Sequence, residues 1–451
     1  MALSTNTNFD AKHDVDYKTP MYLVHFDGET TDYCNHRPVS PTNTLKQYLV
    51  NISGLSQTVT PEEGKASISG VKVTIQDYSD DITALLATDT YFFHRRKTVI
   101  KAGYHGMTET DMLTIFTGWV TGMKLTADAV SYEFDITDPQ KWLQRKVFRN
   151  ATEGAPVRVS GNPINILLSV LMSTGTPGTN GTHDYLDAEN GLGLSSDYIN
   201  VTDLESIRDR YYPGDSHYMR FSITDKIKAS DFVYTEILKV INAYPKIDGQ
   251  GKFSIKPFTP NIAEGTTQSV TEANVIGIPS WDANLSALIN EVFFNYDYDG
   301  SDFESETDCI DGTSVDNRGP GKKPLEIKSK GLHSSHSPGS VNGRAVHIIE
   351  SRAAKVFGRF ATPPTKIKAK CFFNRWLTEA GDIVPFTNSL LPDIAAGTRG
   401  YAAQNMEVVN RQVNWKEGYV TLELLDTGFD KPTNYGLIGE TSSKIGSMKI
   451  S

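Results

Sequence analysis

Apolar and polar positions alternate through the first third of the chain, which predicts strands rather than helices. The segment MYLVHF, Met21 to Phe26, is built around Leu23 and ends in an Asp27-Gly28 turn. TLKQYLVNISGL, Thr44 to Leu55, places Leu45, Tyr48, Val50 and Ile52 in an alternating run. KASISGVKVTIQDY, Lys65 to Tyr78, carries Ile68 and then Val71, Val73 and Ile75, the last three on one face. A short helix is predicted over Asp80 to Ala87, with Asp80 or Asp81 as its cap. TVIKAGYHG and MLTIFTGWVTGMKL read as two more strands. DAVSYEFDITD returns as a hairpin with Val130, Tyr132, Phe134 and Ile136 on one side. PQKWLQRKVF, Pro139 to Phe148, reads as a helix with proline at its first position, where the missing N–H costs nothing.

The period then changes. Asn162-Pro163 opens an amphipathic helix, INILLSVLMS, that Gly175 stops. Residues 174–196 are rich in Gly and Thr and read as a loop. Ser230 is the expected cap of a second helix with Phe232, Val233, Ile237, Val240 and Ile241 on one stripe. A hairpin follows, turned at Asp248-Gly249-Gln250-Gly251. Further on, NEVFFNYDYDG is a strand with Val292, Phe294 and Tyr296 alternating, and residues 299–345 are a long polar stretch. Its few large apolar residues, chiefly Phe303, Ile310, Leu325, Ile327 and Leu332, predict a surface excursion outside any core.

Near the end, ESRAAKVFGRFATPPTKIKAKCFFNRWLTEAGDIVPFT runs from Glu350 to Thr387. A helix leads into a strand, and a Gly381-Asp382 turn opens another strand, Ile383 to Phe386. MEVVNRQVNWKEGYVTLELLDTGF, Met406 to Phe429, is a hairpin turned at Lys416-Glu417-Gly418.

These elements predict a β-rich α+β protein. It has an N-terminal arm (1–19) that orders only on a partner, a first β-barrel domain (20–150) and an α+β domain (151–281). A second β-barrel domain (282–430) carries the polar insertion 299–345, and a tail (431–451) ends the chain. The length of 451 residues suits several domains. Hydrophobic content of 38% with 10% aromatic is enough for packed cores. A formal net charge of -10 disfavours a broad basic surface for nucleic acid. The N-terminus has neither an apolar core nor a basic leader, so no signal peptide is expected, and no apolar run approaches the roughly 18 residues of a bilayer span.

Candidate chemistry is sparse. Cys34, Cys309 and Cys371 are far apart and without CxxC spacing, as expected of reduced thiols. Asp297, Asp299 and Asp302 are oxygen ligands at loop-like spacing, but they lack the turn glycine and the terminal glutamate of a calcium loop and are expected to be solvated. His333 and His336 have H-x-x-H spacing, with His347 beyond, yet no cysteine lies near and zinc is not expected. There is no HExxH, GxSxG, GxxxxGKS or GxGxxG. The expectation is therefore no catalytic, cofactor or metal residues, and no enzyme.

The order of short motifs points further. Gly64 to Ser67, Ile75 to Asp77, Phe116 to Val120 and Phe134 to Asp138 form a series of strands. It resembles the first domain of the tail hub proteins of long-tailed bacteriophages, the family that includes the baseplate hub of contractile tails. The helix-then-hairpin order of the middle and the Glu350–Thr387 and Met406–Phe429 segments resemble the same family's later part, so the likeness spans about residues 20–430. That resemblance implies two domains shaped like tail-tube subunits. It implies a homotrimer whose six such domains adapt the sixfold tube to a threefold tip, closing it until DNA passes. The implied partners are the tail tube protein, the distal tail protein ring, a central tail fibre or tip protein, the tape measure protein, transient genomic DNA and, indirectly, the host cell surface. The implied place is the tail tip of the virion, after synthesis in the bacterial cytoplasm. One branch of tail-tip proteins holds an iron–sulfur cluster on four cysteines, a set that three cysteines do not supply. A tail-associated cell-wall hydrolase and a receptor-binding or fibre protein are the alternatives. The latter would call for repeats or heptads that the sequence lacks.

Overall fold

The computed structural model describes residues 5–13, 19–68, 70–173, 186, 189–213, 218–248, 251–257, 268–283, 287–321, 324–334, 345–393 and 397–426. The expected β-rich α+β class is what the chain forms.

Two large sheets dominate. The first has eight strands in the order Thr44–Lys46, Thr31–Cys34, Pro20–Phe26, Lys97–Tyr104, Leu113–Leu125, Ser131–Thr137, Val71–Gln76 and Leu49–Ile52. The second runs Val275–Ala283, Thr365–Phe372, Tyr419–Asp426, Thr398–Asn414, Leu55–Thr60 and Lys65–Ile68, with Ile383–Asp393 added on Thr398–Asn414. Among the described residues each path is open at both ends. The alternation read from sequence is realised: Val71, Val73 and Ile75 are buried while Lys72 faces solvent.

The 55–68 hairpin lies in the second sheet although it falls within the expected first domain. Thr58 pairs with Asn410 and Leu55 with Val413. The chain leaves the first sheet after Ile52 and crosses at Gly54, where a Cβ would come within 2.8 Å of the Val413 carbonyl oxygen. One buried cluster unites both sheets, with Val73, Ile100 and Phe134 from the first and Ile367, Phe386 and Leu422 from the second. Tyr22 meets Trp415 edge-on at 5.4 Å between ring centroids. Sequence patterning cannot reveal such an exchange, because either sheet satisfies the hairpin's alternation.

Within the N-terminal arm, expected to order only on a partner, residues 5–13 pack on their own chain. Thr7–His13 is a helix whose Phe9 is fully buried. Phe9 packs against Tyr104 of the first sheet and Trp376, which follows the Phe373–Arg375 turn between two strands of the second. The Trp376 indole donates to the Tyr104 hydroxyl at 3.0 Å, and His13 bonds the same hydroxyl at 2.6 Å and the Asn374 carbonyl at 2.9 Å. Phe9 is the apolar anchor that makes this docking favourable without a second chain.

The middle region has its own core. Helix Pro163–Met172 is expected to be amphipathic but is buried on nearly every side. Asn162 caps it, accepting from the Ile164 amide at 3.0 Å and donating to the Tyr212 carbonyl. Gly175, the expected stop, lies outside the described residues, as does the tail 431–451. The second helix begins at Ala229, ahead of Ser230, and contains a π turn over Phe232–Leu238. That extra residue per turn brings Ile237 and Leu238, as well as Val240 and Ile241, to the core. Helix Val201–Tyr211, capped by Asn200, has no counterpart among the expected elements. The expected helix Pro139–Phe148 is a 3-10 turn, Pro139–Gln144, followed by a short strand. The helix Asp81–Thr88 is capped by Asp77, whose carboxylate accepts from the amides of Ile82 and Thr83; Asp80 makes no such bond.

The polar stretch 299–345 contains regular structure. Glu291–Tyr298, Phe303–Ile310 and Leu325–Lys328 form a three-stranded sheet, and Gly312–Arg318 is a helix. Val292, Phe294, Tyr296, Leu325, Ile327 and Leu332 join the core of the middle region. The stretch is thus part surface and part core. A single apolar face suffices to hold a three-stranded sheet, and composition alone conceals that face.

Candidate functional site

The helix Ala345–Phe360, the Gly381-Asp382 turn and the strand Thr398–Asn414 converge with the hairpin Ala243–Pro257 and the hairpin 55–68. The contact between them is ionic and buried. Arg359 on the helix pairs with Glu407 on the strand, each side chain only 4% exposed. The Tyr244 hydroxyl donates to the other Glu407 oxygen at 3.0 Å. Arg411, two turns of the pleat further, donates to the Trp376 carbonyl and to Gln57 of the 55–68 hairpin at 3.2 Å. Gln57 also accepts from the Ala380 amide at 3.4 Å. Arg352, one turn pair earlier on the helix, donates to the Glu62 carbonyl at 2.9 Å in the hairpin's own turn.

The Gly381-Asp382 turn lies at the centre. Gly381 has φ +88, a conformation that side chains rarely adopt, and its carbonyl accepts from Lys256. Asp382 closes the turn, accepting from the Glu379 amide at 2.8 Å. The Glu379 carboxylate lies 3.6 Å from the Lys246 ammonium. Five segments that are distant in sequence therefore meet through charges that none could bury alone.

The electrostatics follow from this arrangement. Burial raises the Glu379 pKa; Lys246 opposes the rise and Asp382 adds to it. Burial alone would raise Asp382 as well, but Lys246, Lys256 and the Glu379 amide hold it below the ordinary carboxylate range. Lys246 is raised, because Glu379 and Asp382 outweigh the burial that would lower it. Burial pushes Arg352 down to about 9 and Arg359 to about 10, so both guanidinium groups stay charged at neutral pH. Removing one member of such a set strands its partner, at a typical cost of about 3–5 kcal/mol. The net worth of the intact set is far smaller, so its contribution is to specify how the segments fit together.

The residues singled out from sequence are placed elsewhere. Asp299 accepts from the Ser301 amide and hydroxyl and the Asp302 amide, closing its own turn. Asp297 accepts from Ser305 and from the Ser334 amide, and its carboxylate lies 3.7 Å from His333. His333 also bonds the Arg220 carbonyl at 3.0 Å. His336 and the His347 side chain fall outside the described residues. No group of three or more His, Cys, Asp or Glu able to hold a metal occurs among the described residues. Cys34 and Cys371 are buried and Cys309 half-buried, all as free thiols. No helix among the described residues is long and apolar enough to cross a membrane.

The junction residues carry a signal of their own. Arg359 sits on the stripe of Val356 and Phe360, and Arg411 lies between Val409 and Val413, so both are charges at core positions of their elements.

No protein-family model and no curated protein matches the chain. Solved structures do. The 43 kDa tail protein of prophage MuSo2 from Shewanella oneidensis aligns over 91% of this chain and 99% of its own, with TM-score 0.46 and 10% identity. A tail protein from Neisseria meningitidis aligns over 91% and 97%, with TM-score 0.44 and 11% identity. A prophage tail protein from Listeria monocytogenes aligns over 89% and 94%, with TM-score 0.41 and 10% identity. All three are tail proteins, two of them of prophages; at such identities nothing about their residues or partners transfers to this chain.

Proposed function

We propose that this chain is a structural component of a bacteriophage tail, and within the tail the hub that closes the tube and adapts its sixfold symmetry to a threefold tip. The observation that carries the reading is the pairing of two large sheets within one chain, stitched by the 55–68 hairpin and a common core. A subunit carrying two tube-like units supplies six from three copies, which fits a homotrimer. The motif order from Gly64 to Asp138 and from Glu350 to Phe429 supports the same assignment. Its neighbours are then the tail tube protein, the distal tail protein ring, the tape measure protein and a central fibre or tip protein.

The role is scaffolding without turnover. In support, the carboxylates that come together, Glu379 and Asp382, are buried and committed to Lys246, Lys256 and backbone amides. The ring surrounds DNA, so its inner wall is net acidic or neutral; a wall of lysine and arginine would grip phosphates and hold the genome. The excess of 54 Asp+Glu over 44 Lys+Arg is compatible with this.

Imaging of assembled tails with the chain located by an inserted tag tests the reading. Three copies at the tube's distal end are expected. Six copies along the tube, or a location on a side fibre, would overturn it. Purified protein that clears bacterial cell walls would favour the hydrolase alternative.

A further inference from the structure

We propose that neighbouring copies of this chain join head to tail through two oppositely charged surfaces of the middle region: the basic ribbon at Lys146 and Lys228, and the acidic outer face of the Glu291–Lys328 sheet. The proposal rests on the ring reading above and names the contact that would close it.

The basic ribbon pairs Lys146–Val147 with Ile227–Lys228, and Lys146 lies directly opposite Lys228. Both are exposed, as are Lys141, Arg145 and Lys226 around them. Like charges directly opposite on neighbouring strands, with Cβ atoms about 5 Å apart, destabilise the pairing. Asp225 and Asp231 are the exposed acids beside them in the chain, and neither is paired with a ribbon lysine in an ion pair among the described residues. Trp142 is half-buried at the margin, with the Arg145 guanidinium 5.8 Å from its ring.

The acidic face is built by strand periodicity. The inner faces of Glu291–Tyr298 and Leu325–Lys328 are taken by Val292, Phe294, Leu325 and Ile327, which are buried. The outer face therefore holds the alternate set. On the edge strand Phe303–Ile310 these are Glu304, Glu306, Asp308 and Ile310, all exposed. Alternate residues on a strand repeat at about 7 Å, so three carboxylates stand in a row. Phe293 lies opposite Asp308 and is half-buried, and Glu326 lies beside Phe293 on the other flank. The one cation in this set, Lys328, is bound to Glu326 at 2.9 Å. Nothing in the described part of the chain covers this face.

Each surface repels itself and complements the other. Each also has an aromatic residue at its margin or centre, Trp142 on one and Phe293 on the other, which suits burial once charge has set the register. A heterologous contact of this kind uses different patches on the two partners, and repeated around an axis it closes a ring.

The test uses the full chain, with oligomer mass measured by sedimentation across protein and salt concentration. Trimers of the natural chain are expected to weaken as salt rises. K146E/K228E and E306K/D308K should each raise the dissociation constant by about tenfold or more. Mixing the two variants matches the reversed ribbon of one with the reversed face of the other and the two unaltered surfaces with each other, so unlike copies should associate; a ring of three must still contain one mismatched contact between like copies, so full trimers should return only when all four changes are combined in one chain. Trimers unmoved by either reversal and by salt would overturn the contact while leaving the hub reading intact. A chain that stays monomeric at every concentration and is absent from the tail tip would overturn both. Loss of binding to a DNA duplex fragment in K146E/K228E, with assembly unchanged, would reassign the ribbon to nucleic acid. Circular dichroism of each variant separates misfolding from lost contact, and a fold-competent four-fold variant that fails to trimerise also counts against the proposal.

Discussion

Replacing Gly381 by alanine tests the central turn of the ionic junction. Two costs follow from its surroundings. The first is conformational: at φ +88 an L-residue with a Cβ is strained by roughly 1–2 kcal/mol. The second is steric. The new Cβ would stand 2.5 Å from the Tyr244 hydroxyl and 3.2–3.3 Å from two ring carbons, so the ring must move. Tyr244 is 1% exposed, and its hydroxyl donates to Glu407 at 3.0 Å. Displacing it takes a donor from a buried carboxylate, which costs about 1–3 kcal/mol. The sum is about 2–5 kcal/mol. With a shift of roughly 2–4 °C per kcal/mol for a unit of 150–250 residues, the melting midpoint should fall by about 4–20 °C.

The assay is urea unfolding followed by tryptophan fluorescence, since Trp376 and Trp415 sit beside the turn and its strand. A double-mutant cycle with Tyr244→Ala separates the two costs. Tyr244→Ala removes the clash but leaves the backbone strain, so Gly381→Ala should cost less in that background. Gly381→Ala within about 0.5 kcal/mol of the natural chain, the ordinary range for an uninvolved surface position, would refute the close packing of the turn on Tyr244.

Asp138→Asn should stabilise the protein at pH 7 and do nothing at pH 4. Burial raises the Asp138 pKa from 3.8 to about 6, so the folded state takes up a proton that the unfolded chain has lost, and stability falls as pH rises through that window. Asparagine keeps an acceptor for the Gln140 amide, now 2.7 Å from Asp138, and the gain read from urea midpoints should be about 1–3 kcal/mol. Phe9→Ala should release the Thr7–His13 helix, seen as rapid tryptic cleavage after Lys12 while the sheets stay resistant; equal protection in both proteins would show that Phe9 is not the anchor. Deleting Glu304 to Gly321 should lower the thermal midpoint by several degrees. The Asn290 amide would lose Ser314 and the Gly319 carbonyl, its side-chain oxygen would lose the Gly321 amide, and the Glu291–Tyr298 strand would lose its neighbour.

Much of the secondary structure was legible because alternation survives in local sequence: Val71, Val73 and Ile75, or Phe134 and Ile136, need only the strand period to be placed. What escaped is non-local. The Leu55–Thr60 strand has the same pattern whichever sheet receives it, and only its pairing with Asn410–Val413 decides. Phe9 stands alone in a polar segment, so the docking of the arm depends on a groove made by residues 95 to 367 positions later. The candidate site shows the same division. The Gly381-Asp382 turn is visible in the sequence, but its role depends on Lys246, Lys256 and Glu407, which arrive from other elements. The charges at core positions, Arg359 and Arg411, were the available clue. A composition count treats them as surface, whereas their place in an apolar stripe marks them as buried and therefore paired.

On the proposed hub reading, the stitched hairpin constrains how the chain can work. Deleting residues 55–68 would remove two strands from the second sheet, and with them the anchors for Arg352 and Arg411. The first sheet would keep all eight of its own strands. The two sheets are therefore unequal: the second is completed by a part of the first region, and the first owes nothing in return. Any hinge between them would have to part their common core and expose Tyr22, Trp415 and Phe9 to water. Those costs add along one contiguous boundary, so parting the two sheets is an expensive motion. A hub that opens for DNA must then open between subunits or by moving another part, and not by parting its own two sheets. A disulfide placed across the sheets should leave DNA release unchanged, whereas one across subunits should block it. Release lost with the first and kept with the second would reverse this assignment of the moving boundary.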